Sequence, residues 1–262
     1  MLSKNAIKFV NSLKIKKYRL EHQAFIVEGE KSVAELLSGR FRVSALYCLE
    51  SWFRENPDLL KMSSAEIILI TAEELARISD LTTPNRVLAV AALPENPGPG
   101  QLNFEEMILA LDGIRDPGNM GTILRTADWF GIRQLVCSPD CVDVFNPKVV
   151  QATMGSFARV SVFSMEIIKL INYAPENTPV FGALLQGPSL SSRTFTKAGI
   201  LIIGNESRGI SAPIIPFITD PVFIPSFTGS NAPSTHAESL NASVANAIIC
   251  YEIRKQLSEN KF

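Results

Sequence analysis

The stretch most suggestive of chemistry is DPGNMGTILRTA, residues 116–127. A Pro-Gly turn runs directly into helix-forming sequence whose polar side chains include Asn119 and Arg125. On a helix, Arg125 lies one turn beyond Gly121, so its guanidinium faces backbone that has no side chain. An arginine above bare backbone indicates room for a polar ligand such as a phosphate. The alternative is an ordinary capped helix, with Asp116 or Asn119 as the cap.

Two further loops combine glycine, carboxylate and amide groups. GNESRGIS (204–211) follows the apolar run ILII, and a third loop runs from IPS (224–226) to SLNAS (239–243). A glycine at a strand end lets another backbone or a ligand approach closely. Each polar group also has a structural interpretation: Glu206 as a solvated surface charge, and Ser239 or Asn241 as a helix cap.

The sequence lacks the usual motifs of several reaction types. The first loop contains neither GxGxxG nor GxxxxGK[ST], and GALLQGPS (182–189) carries Pro188 where the second motif needs lysine. Neither a GxSxG elbow nor HExxH occurs. Four scattered cysteines and two histidines favour buried reduced thiols over a metal site. The sequence therefore gives little support to phosphate-loop, nucleophilic or metal-dependent chemistry.

A Pro/Gly-rich segment, LPENPGPG (93–100), divides the chain near residue 95. Alternating helix and strand patterns before it predict a small α/β domain over residues 1–95. After it, six apolar runs alternate with helical segments, which predicts a mainly parallel sheet covered on both faces. Ligands of such sheets bind at the C-terminal ends of the strands. The three polar loops begin at predicted strand ends, so we expect them at the same edge of the sheet.

Local signals place the ends of several helices. Thr71 and Glu74 form a capping box, and Asn146 followed by Pro147 starts a helix. The last helix is predicted over residues 239–256. Its apolar face is predicted to contain Leu240, Val244, Ala247, Ile248 and Tyr251.

Taken in order, the three loops resemble the SpoU (TrmH) family of RNA ribose 2′-O-methyltransferases, in the SPOUT superfamily. The family's N-x-G-x-x-x-R-T/A is matched by residues 119–126, and G-x-E-x-x-G by residues 204–209. Its I-P followed by S-L-N-x-S is matched by residues 224–225 and 239–243. KVVQATMGSF (148–157) is similar to the family segment that ends in a small-residue turn.

The resemblance extends to the N-terminal part and also has one departure. Residues 1–95 resemble the L30e-like domain that is often fused ahead of the catalytic unit. The segment SNAPSTHAE (230–238) is longer than the family usually has there, and its His236 has no family counterpart.

The resemblance implies a fold, a reaction and a set of site residues. Residues 96–262 would form a SPOUT α/β domain with a trefoil knot, preceded by the L30e-like α/β domain. The reaction would move the methyl group of S-adenosyl-L-methionine to a ribose 2′-hydroxyl of rRNA or tRNA, with rRNA slightly preferred. Members are typically dimers with the site at the subunit interface. The implied catalytic residues are Asn119, Arg125, Glu206 and Asn241. The implied cofactor-binding residues are Gly204, Asn205, Ile224, Ser239 and Leu240, with no metal.

Arg125 has a defined place in that reaction. A guanidinium stays protonated, with a pKa above about 12. We therefore interpret Arg125 as a clamp on a phosphate that also stabilises the developing alkoxide, rather than as a simple base. Asn119 would hydrogen-bond the ribose, and Glu206 would fix its loop.

Charge and composition complete the prediction. The chain has a net charge of −1, yet residues 1–42 carry nine Lys and Arg against four Glu. A basic surface of this kind would contact RNA phosphates, although a solvated helix face is the alternative. The residues predicted to contact RNA are Lys14, Lys16, Lys17 and Arg19. Apolar runs too short to span a bilayer, and a start without signal-peptide features, predict a cytoplasmic protein.

Two other functions remain open from the sequence. One is a non-catalytic RNA-binding or nucleotide-binding protein that has kept the scaffold, for which the unusual loop at 230–238 is the hint. The other is a Rossmann-type methyltransferase, which is weakened because its Gly-rich cofactor loop is missing.

Overall fold

A computed structural model describes residues 2–95, 98–227 and 238–259 of the chain. It divides into two compact units, one formed by residues 1–95 and 143–159 and the other by residues 96–142 and 160–262. The division expected at residue 95 leaves residues 143–159 in the second unit, whereas in the structure they pack with the first. The order of residues along the chain did not predict that residues 143–159 belong to the first unit, because this depends on which side chains they contact.

The helices and strands follow the chain as an alternating series. The helices are α1 (Lys4–Ser12), α2 (Lys16–His22), α3 (Glu30–Ser38), α4 (Glu50–Glu55), α5 (Pro57–Lys61), α6 (Ala72–Ala76), α7 (Pro117–Trp129), α8 (Pro147–Thr153), α9 (Ile167–Tyr173) and α10 (Ala242–Glu259). The strands are β1 (Ala24–Glu28), β2 (Val43–Cys48), β3 (Glu66–Leu69), β4 (Val87–Ala92), β5 (Met107–Asp112), β6 (Gln134–Cys137), β7 (Ser161–Ser164), β8 (Val180–Ala183), β9 (Gly199–Gly204) and β10 (Asp220–Val222).

The first unit contains a four-stranded sheet in the order β1-β4-β2-β3. The β1–β4 and β4–β2 pairs are antiparallel and the β2–β3 pair is parallel. The predicted capping box is present, since the Thr71 hydroxyl accepts from the Glu74 amide and the Glu74 carboxylate accepts from the Thr71 amide. Helices α2, α4 and α5 were not predicted from the sequence, because each is too short to show a clear apolar period.

Residues 143–159 join the first unit through aromatic packing and an ion pair. The rings of Phe145 and Phe157 lie 4.7 and 6.1 Å from that of Phe25 on β1. Asp143 accepts from the Arg19 guanidinium at 2.5 and 3.0 Å. Helix α8, capped by Asn146 as predicted, packs on β1 within this unit.

The second unit contains a six-stranded sheet in the order β10-β8-β9-β5-β6-β7, in which every neighbouring pair is parallel. This confirms the predicted mainly parallel sheet. Strand β5 is buried along its whole length, as expected for a central strand with both faces covered. Helix α9 and the segment around Ile210 and Ile214 pack in one core cluster with β5 and β9, while α10 packs against α7.

One prediction about the last helix was wrong. The helix begins at Ala242 rather than Ser239, because the Asn241 side chain accepts from the amides of Ser243 and Val244 and serves as the cap. The predicted apolar face is the exposed one. Leu240, Val244, Ile248 and Tyr251 are 47%, 46%, 37% and 57% exposed. The residues buried on this helix are instead Ala242, Ser243, Asn246, Ile249, Cys250 and Ile253.

Some expectations fall on residues that the structure does not describe. The loop SNAPSTHAE lies almost wholly in residues 228–237, outside the described residues, as does His236. The trefoil knot therefore stays a prediction, since this segment leads into α10. Within the described ranges, none of the helices has both the length and the apolar character needed to cross a bilayer.

Candidate active site

The site is built where β5 and β9 end side by side, with Asp112 opposite Gly204 in the parallel register. The buried Asp112 carboxylate accepts from the Ser211 amide at 2.6 Å. The Asn205 side chain donates to the Gly113 carbonyl at 2.8 Å. These two bonds fasten the loop after β9 to the end of β5, so the first and second motifs are held at one edge of the sheet.

The loop after β9 closes on itself. Backbone bonds of 3.0 and 2.8 Å join Asn205 and Gly209, and the Asn205 side-chain oxygen accepts from the amides of Ser207 and Arg208. A Cβ on Gly204 would lie 2.2 Å from the Gly209 carbonyl carbon. The backbone that approaches Gly204 is therefore the loop's own return, which is a structural reason for this glycine.

Asn119, Glu206 and Asn241 form one hydrogen-bonded chain. The Asn119 amide group donates to the Glu206 carboxylate, and the Asn241 amide group donates to the Asn119 oxygen at 2.9 Å. Asp116 caps α7 by accepting from the Asn119 backbone amide at 2.7 Å, which decides between the two predicted caps. The Asn119 side chain therefore does not serve as the cap, and it hydrogen-bonds residues of the other two motifs instead.

Arg125 lies on α7 with an exposed side chain. Within the described part of the chain, its guanidinium makes no hydrogen bond or ion pair. An exposed cation without a partner on the helix that carries Asn119 is available to an anionic ligand.

The expected cofactor residues are distributed over the loops at this edge. Gly204 and Asn205 lie in the closed loop, and Ile224 follows β10 in a half-buried position. Ser239 and Leu240 are exposed and precede α10. Leu185 after β8 and Phe227 after β10 are also exposed, at 67% and 96%. These loops thus offer exposed apolar side chains beside polar residues, which suits a ligand with an aromatic base and a polar tail.

The predicted basic surface needs one correction. Arg19 is only 1% exposed and is held by Asp143 and the Leu13 carbonyl, so this residue is structural and not available to RNA. Lys14 donates to the Ser79 carbonyl at 2.8 Å and pairs with Asp80 at 3.5 Å. Lys16 and Lys17 are exposed. The sequence alone could not distinguish the buried Arg19 from the exposed Lys16 and Lys17, because it shows which residues are charged but not which are buried.

A polar cluster after β6 was missed by sequence reasoning. The Ser138 hydroxyl donates to Asp140 at 2.6 Å, and the Arg115 guanidinium donates to the other Asp140 oxygen at 3.3 Å. The hydrogen bond from the Ser138 hydroxyl, and to a smaller extent that from Arg115, holds the pKa of the Asp140 carboxyl below its usual value. The polar residues of SPDC (138–141) at the end of a predicted strand could have indicated this cluster. The ends of parallel strands lie at the same edge of the sheet, where the three loops were expected.

Cys141 lies beside this cluster, with its sulfur 3.4 Å from both the Ser138 hydroxyl and the Leu111 carbonyl. A hydrogen bond from Cys137, with further help from Ser138 and two backbone amides, lowers the pKa of the Cys141 thiol to about 7. None of Cys48, Cys137, Cys141 and Cys250 forms a disulfide bond. Among the described residues, His, Cys, Asp and Glu form no cluster that could hold a metal ion.

Comparison with known proteins gives matches over both units. The sequence matches the SpoU rRNA Methylase family over residues 106–251 and the MRM3-like substrate binding domain over residues 4–89. The 23S rRNA (guanosine(2553)-2′-O)-methyltransferase RlmP of Bacillus subtilis is 28% identical over 250 residues, which cover 95% of each protein.

Two solved structures resemble the whole chain. A TrmH-family protein from Porphyromonas gingivalis is 41% identical with a TM-score of 0.84, covering 98% of this chain and 99% of that one. The AdoMet-bound rRNA methyltransferase from Sinorhizobium meliloti shares the fold at 24% identity and a TM-score of 0.85, covering 98% of this chain and 97% of that one. The first family match alone spans more than half of the sequence. This chain belongs to the SpoU rRNA methylase family.

Proposed function

We propose that this protein transfers the methyl group of S-adenosyl-L-methionine to a ribose 2′-hydroxyl of RNA, with ribosomal RNA as the substrate. The observation that carries the proposal is the chain of hydrogen bonds through Asn119, Glu206 and Asn241, beside an exposed Arg125. It brings the polar residues of three separate motifs together at the edge of the sheet where ligands of such folds bind. The similarity to RlmP, an rRNA methyltransferase, favours ribosomal over transfer RNA.

The side chains suggest a division of roles in the transfer. Asn119 uses one N–H toward Glu206 and one lone pair toward Asn241, so one donor and one acceptor site remain for a ribose. Glu206 and Asn241 thereby act as positioning residues for Asn119. Arg125 clamps a phosphate next to the reacting sugar and stabilises negative charge that develops on its oxygen. Orientation of this kind is worth roughly 7–11 kcal/mol in well-aligned reactions.

The cofactor would be held by the loops that follow β8, β9 and β10. S-adenosyl-L-methionine, when bound, supplies a methyl group that is already activated by its positively charged sulfur. Main-chain groups of Gly204, Ile224 and Leu240 would hold it, while the exposed Leu185 and Phe227 provide apolar contact for the adenine. Asn205 contributes by shaping the loop, because its side chain is occupied by Gly113 and the amides of Ser207 and Arg208.

We also propose that the protein is a homodimer in which a second copy covers the exposed face of α10. Val244, Ile248 and Tyr251 on this face, and Trp129 at the end of α7, are exposed. The rings of Phe130 and Tyr251 lie 6.4 Å apart, so the two surfaces adjoin. A patch of large apolar side chains on one surface is typical of a protein interface, and a two-fold dimer buries the same patch on both subunits.

The first unit is the proposed RNA-binding domain, of the L30e-like type. Its match to the MRM3-like substrate binding domain and its exposed Lys16 and Lys17 support this role. The cytoplasmic location expected from the sequence stays part of the proposal, since the Bacillus subtilis relative, matched over 95% of its length, is an rRNA methyltransferase.

The test is transfer of radiolabelled methyl from S-adenosyl-L-methionine to ribosomal RNA that lacks its natural methylations, followed by digestion to nucleosides. The proposal requires the label in a 2′-O-methyl nucleoside. Label in a base-methylated nucleoside would contradict it. Failure to bind the cofactor at all would favour the alternative of a non-catalytic RNA-binding protein.

A further inference from the structure

A cavity of about 610 Å³ lies within the second unit, at the C-terminal edge of its sheet. Its size is within the range of small-molecule sites, roughly 300–1,000 Å³. Its lining combines apolar side chains, among them Ile167, Ile210 and Ile214, with polar ones, among them Asp140, Glu166 and Arg208.

The cavity adjoins the proposed methyl-transfer site without duplicating it. Asn205 lines it, and the next residue in the chain is Glu206, which binds Asn119. Asn119, Arg125 and Asn241 do not line it. The loop after β9 thus carries both a residue that lines the cavity and the residue that binds Asn119.

Two of the polar lining residues, Asp140 and Arg208, place an ionised acceptor beside a donor. The carboxylate of Asp140 lies against the turn at Gly113, where an added Cβ would meet its Oδ2 atom at 3.1 Å. Ser138 and Arg115 each use one of its oxygens, which leaves acceptor sites on both, since a carboxylate has about four. The Arg208 guanidinium lies 3.9 Å from Asp140 and is exposed.

This arrangement matches one nucleobase better than the others. Guanine presents two adjacent N–H donors, N1 and N2, with the O6 acceptor next to them, so one carboxylate accepts both N–H bonds while a guanidinium donates to O6. Adenine and cytosine would place an unprotonated ring nitrogen against the carboxylate. Uracil has a single N–H between two carbonyl oxygens. The isoleucines that line the cavity would supply apolar contact for the base.

We propose that this cavity receives the base of the methylated nucleotide and that Asp140 selects guanine. The inference rests on the proposed function, since it assumes an RNA nucleotide at the adjacent site. Enzymes that do chemistry on a base take it out of the stack and recognise its Watson–Crick edge in a pocket, and the same recognition would serve an enzyme that modifies the ribose attached to that base. Asp140 is thus a specificity-determining residue, supported by Ser138 and Arg115.

The first step of the test identifies the nucleoside that wild-type protein methylates in unmodified ribosomal RNA. The expected product is 2′-O-methylguanosine. The second step uses a synthetic RNA fragment around that nucleotide, with the target guanosine or with inosine, which lacks the 2-amino group. For wild-type protein, inosine should lower kcat/KM for RNA by roughly tenfold to a hundredfold.

The third step repeats the comparison with Asp140→Asn. This variant should lose a similar factor on guanosine RNA and should no longer distinguish inosine from guanosine, while the KM for S-adenosyl-L-methionine stays unchanged. Asp58→Asn, an exposed aspartate of the first unit, is the matched control and should behave as wild type. A purely structural role of Asp140 would leave the preference for guanosine intact.

Several results would overturn the inference while leaving the proposed function standing. They are a product other than methylguanosine, equal wild-type rates on inosine and guanosine RNA, or an unchanged preference in Asp140→Asn. The inosine comparison needs only wild-type protein, so it decides even if the variant does not fold. Absence of any transfer to RNA by the wild type would overturn the proposed function, and the inference with it.

Discussion

Asn119 is the residue on which the three motifs converge. Its backbone amide completes the cap of α7 with Asp116, and its side chain connects Glu206 to Asn241. Both halves of its amide are engaged, so its orientation is set before any ligand arrives. Such preorganised polar groups are effective because they need no rearrangement during the reaction.

At Arg125 we expect a loss of transfer without a loss of cofactor binding. Arg125→Ala should reduce the rate of methyl transfer by roughly 100- to 1,000-fold, as removal of one charge-stabilising group does elsewhere. Because the side chain is exposed, the melting temperature and the Kd for S-adenosyl-L-methionine should stay unchanged. Arg133→Ala, at an exposed arginine outside the motifs, is the control. Parallel loss of transfer and cofactor binding would show that Arg125 is structural.

At Cys141 we expect a thiol that reacts near neutral pH. With its pKa lowered to about 7, the thiolate fraction rises as the pH rises through 7, so alkylation by iodoacetamide should be half-maximal there. Burial raises the pKa of Cys48 to about 11 and that of Cys250 to about 12, so both should stay unmodified. Mass spectrometry after timed reaction from about pH 5.5 to about 8.5 measures this.

The cause of the Cys141 shift can be tested separately. Cys137→Ala removes the hydrogen bond that contributes most to the lowered pKa, and it should move the midpoint of alkylation upward. A wild-type midpoint near the ordinary thiol value of about 8.5 would contradict the prediction. The same shift implies that the folded state favours the thiolate, so this small stabilisation is lost as the pH falls through 7.

At the scale of elements, the loop after β9 shows how a motif glycine can serve the fold. Gly204→Ala should lower the free energy of unfolding by about 1–3 kcal/mol, the usual cost of overpacking, because the new Cβ would collide with the backbone at Gly209. The measurement is denaturant unfolding without cofactor. Gly98→Ala, where a Cβ would meet nothing within 4 Å, is the control. Equal stability of the two variants would contradict this structural role of Gly204.

Helix α10 shows why an apolar face does not identify the core. The period of Val244, Ile248 and Tyr251 is helical, but α10 buries the neighbouring face, which contains Asn246, Ile249 and Ile253. The apolar residues of the other face stay 37–57% exposed, and the Phe130 ring lies 6.4 Å from that of Tyr251. An amphipathic pattern reports that a face is apolar, and not which surface covers it.

For the whole molecule, we expect the exposed face of α10 to hold two copies together. Val244→Glu combined with Ile248→Glu places charge in this face and should convert a dimer into a monomer, with loss of methyl transfer if the site needs both subunits. Light scattering coupled to gel filtration gives the mass. Ser258→Glu, on the same helix and also exposed, should leave the dimer intact. A monomeric wild type, or a double variant of dimer mass, would contradict the proposal.

The charge of the first unit gives a second prediction at this scale. Lys16→Ala with Lys17→Ala should weaken RNA binding and reduce the slope of log Kd against log salt by about 1–2, because each phosphate contact releases counterions. Lys61→Ala, at an exposed lysine paired with Asp58, should leave the slope unchanged. An unaltered affinity and slope in the double variant would remove these lysines from the RNA-binding surface.

The sequence by itself determined most of the secondary structure and the place of the site. The strands at residues 43–48 and 107–112, the capping box at Thr71 and the cap at Asn146 follow from local patterns. The three motif loops could be assigned to one edge because the ends of parallel strands meet there. These features depend on neighbours in the chain, so a single sequence carries them.

Only the tertiary structure decided which of these residues are free and which are occupied. Arg19 is buried against Asp143, 124 positions away, and residues 143–159 pack with the first unit. Asn119 is bound to Glu206 and Asn241, and Asp140 stands in a cavity that no motif marks. Burial and partnership between distant residues depend on the packing of whole elements. A local pattern of residue types does not specify that packing.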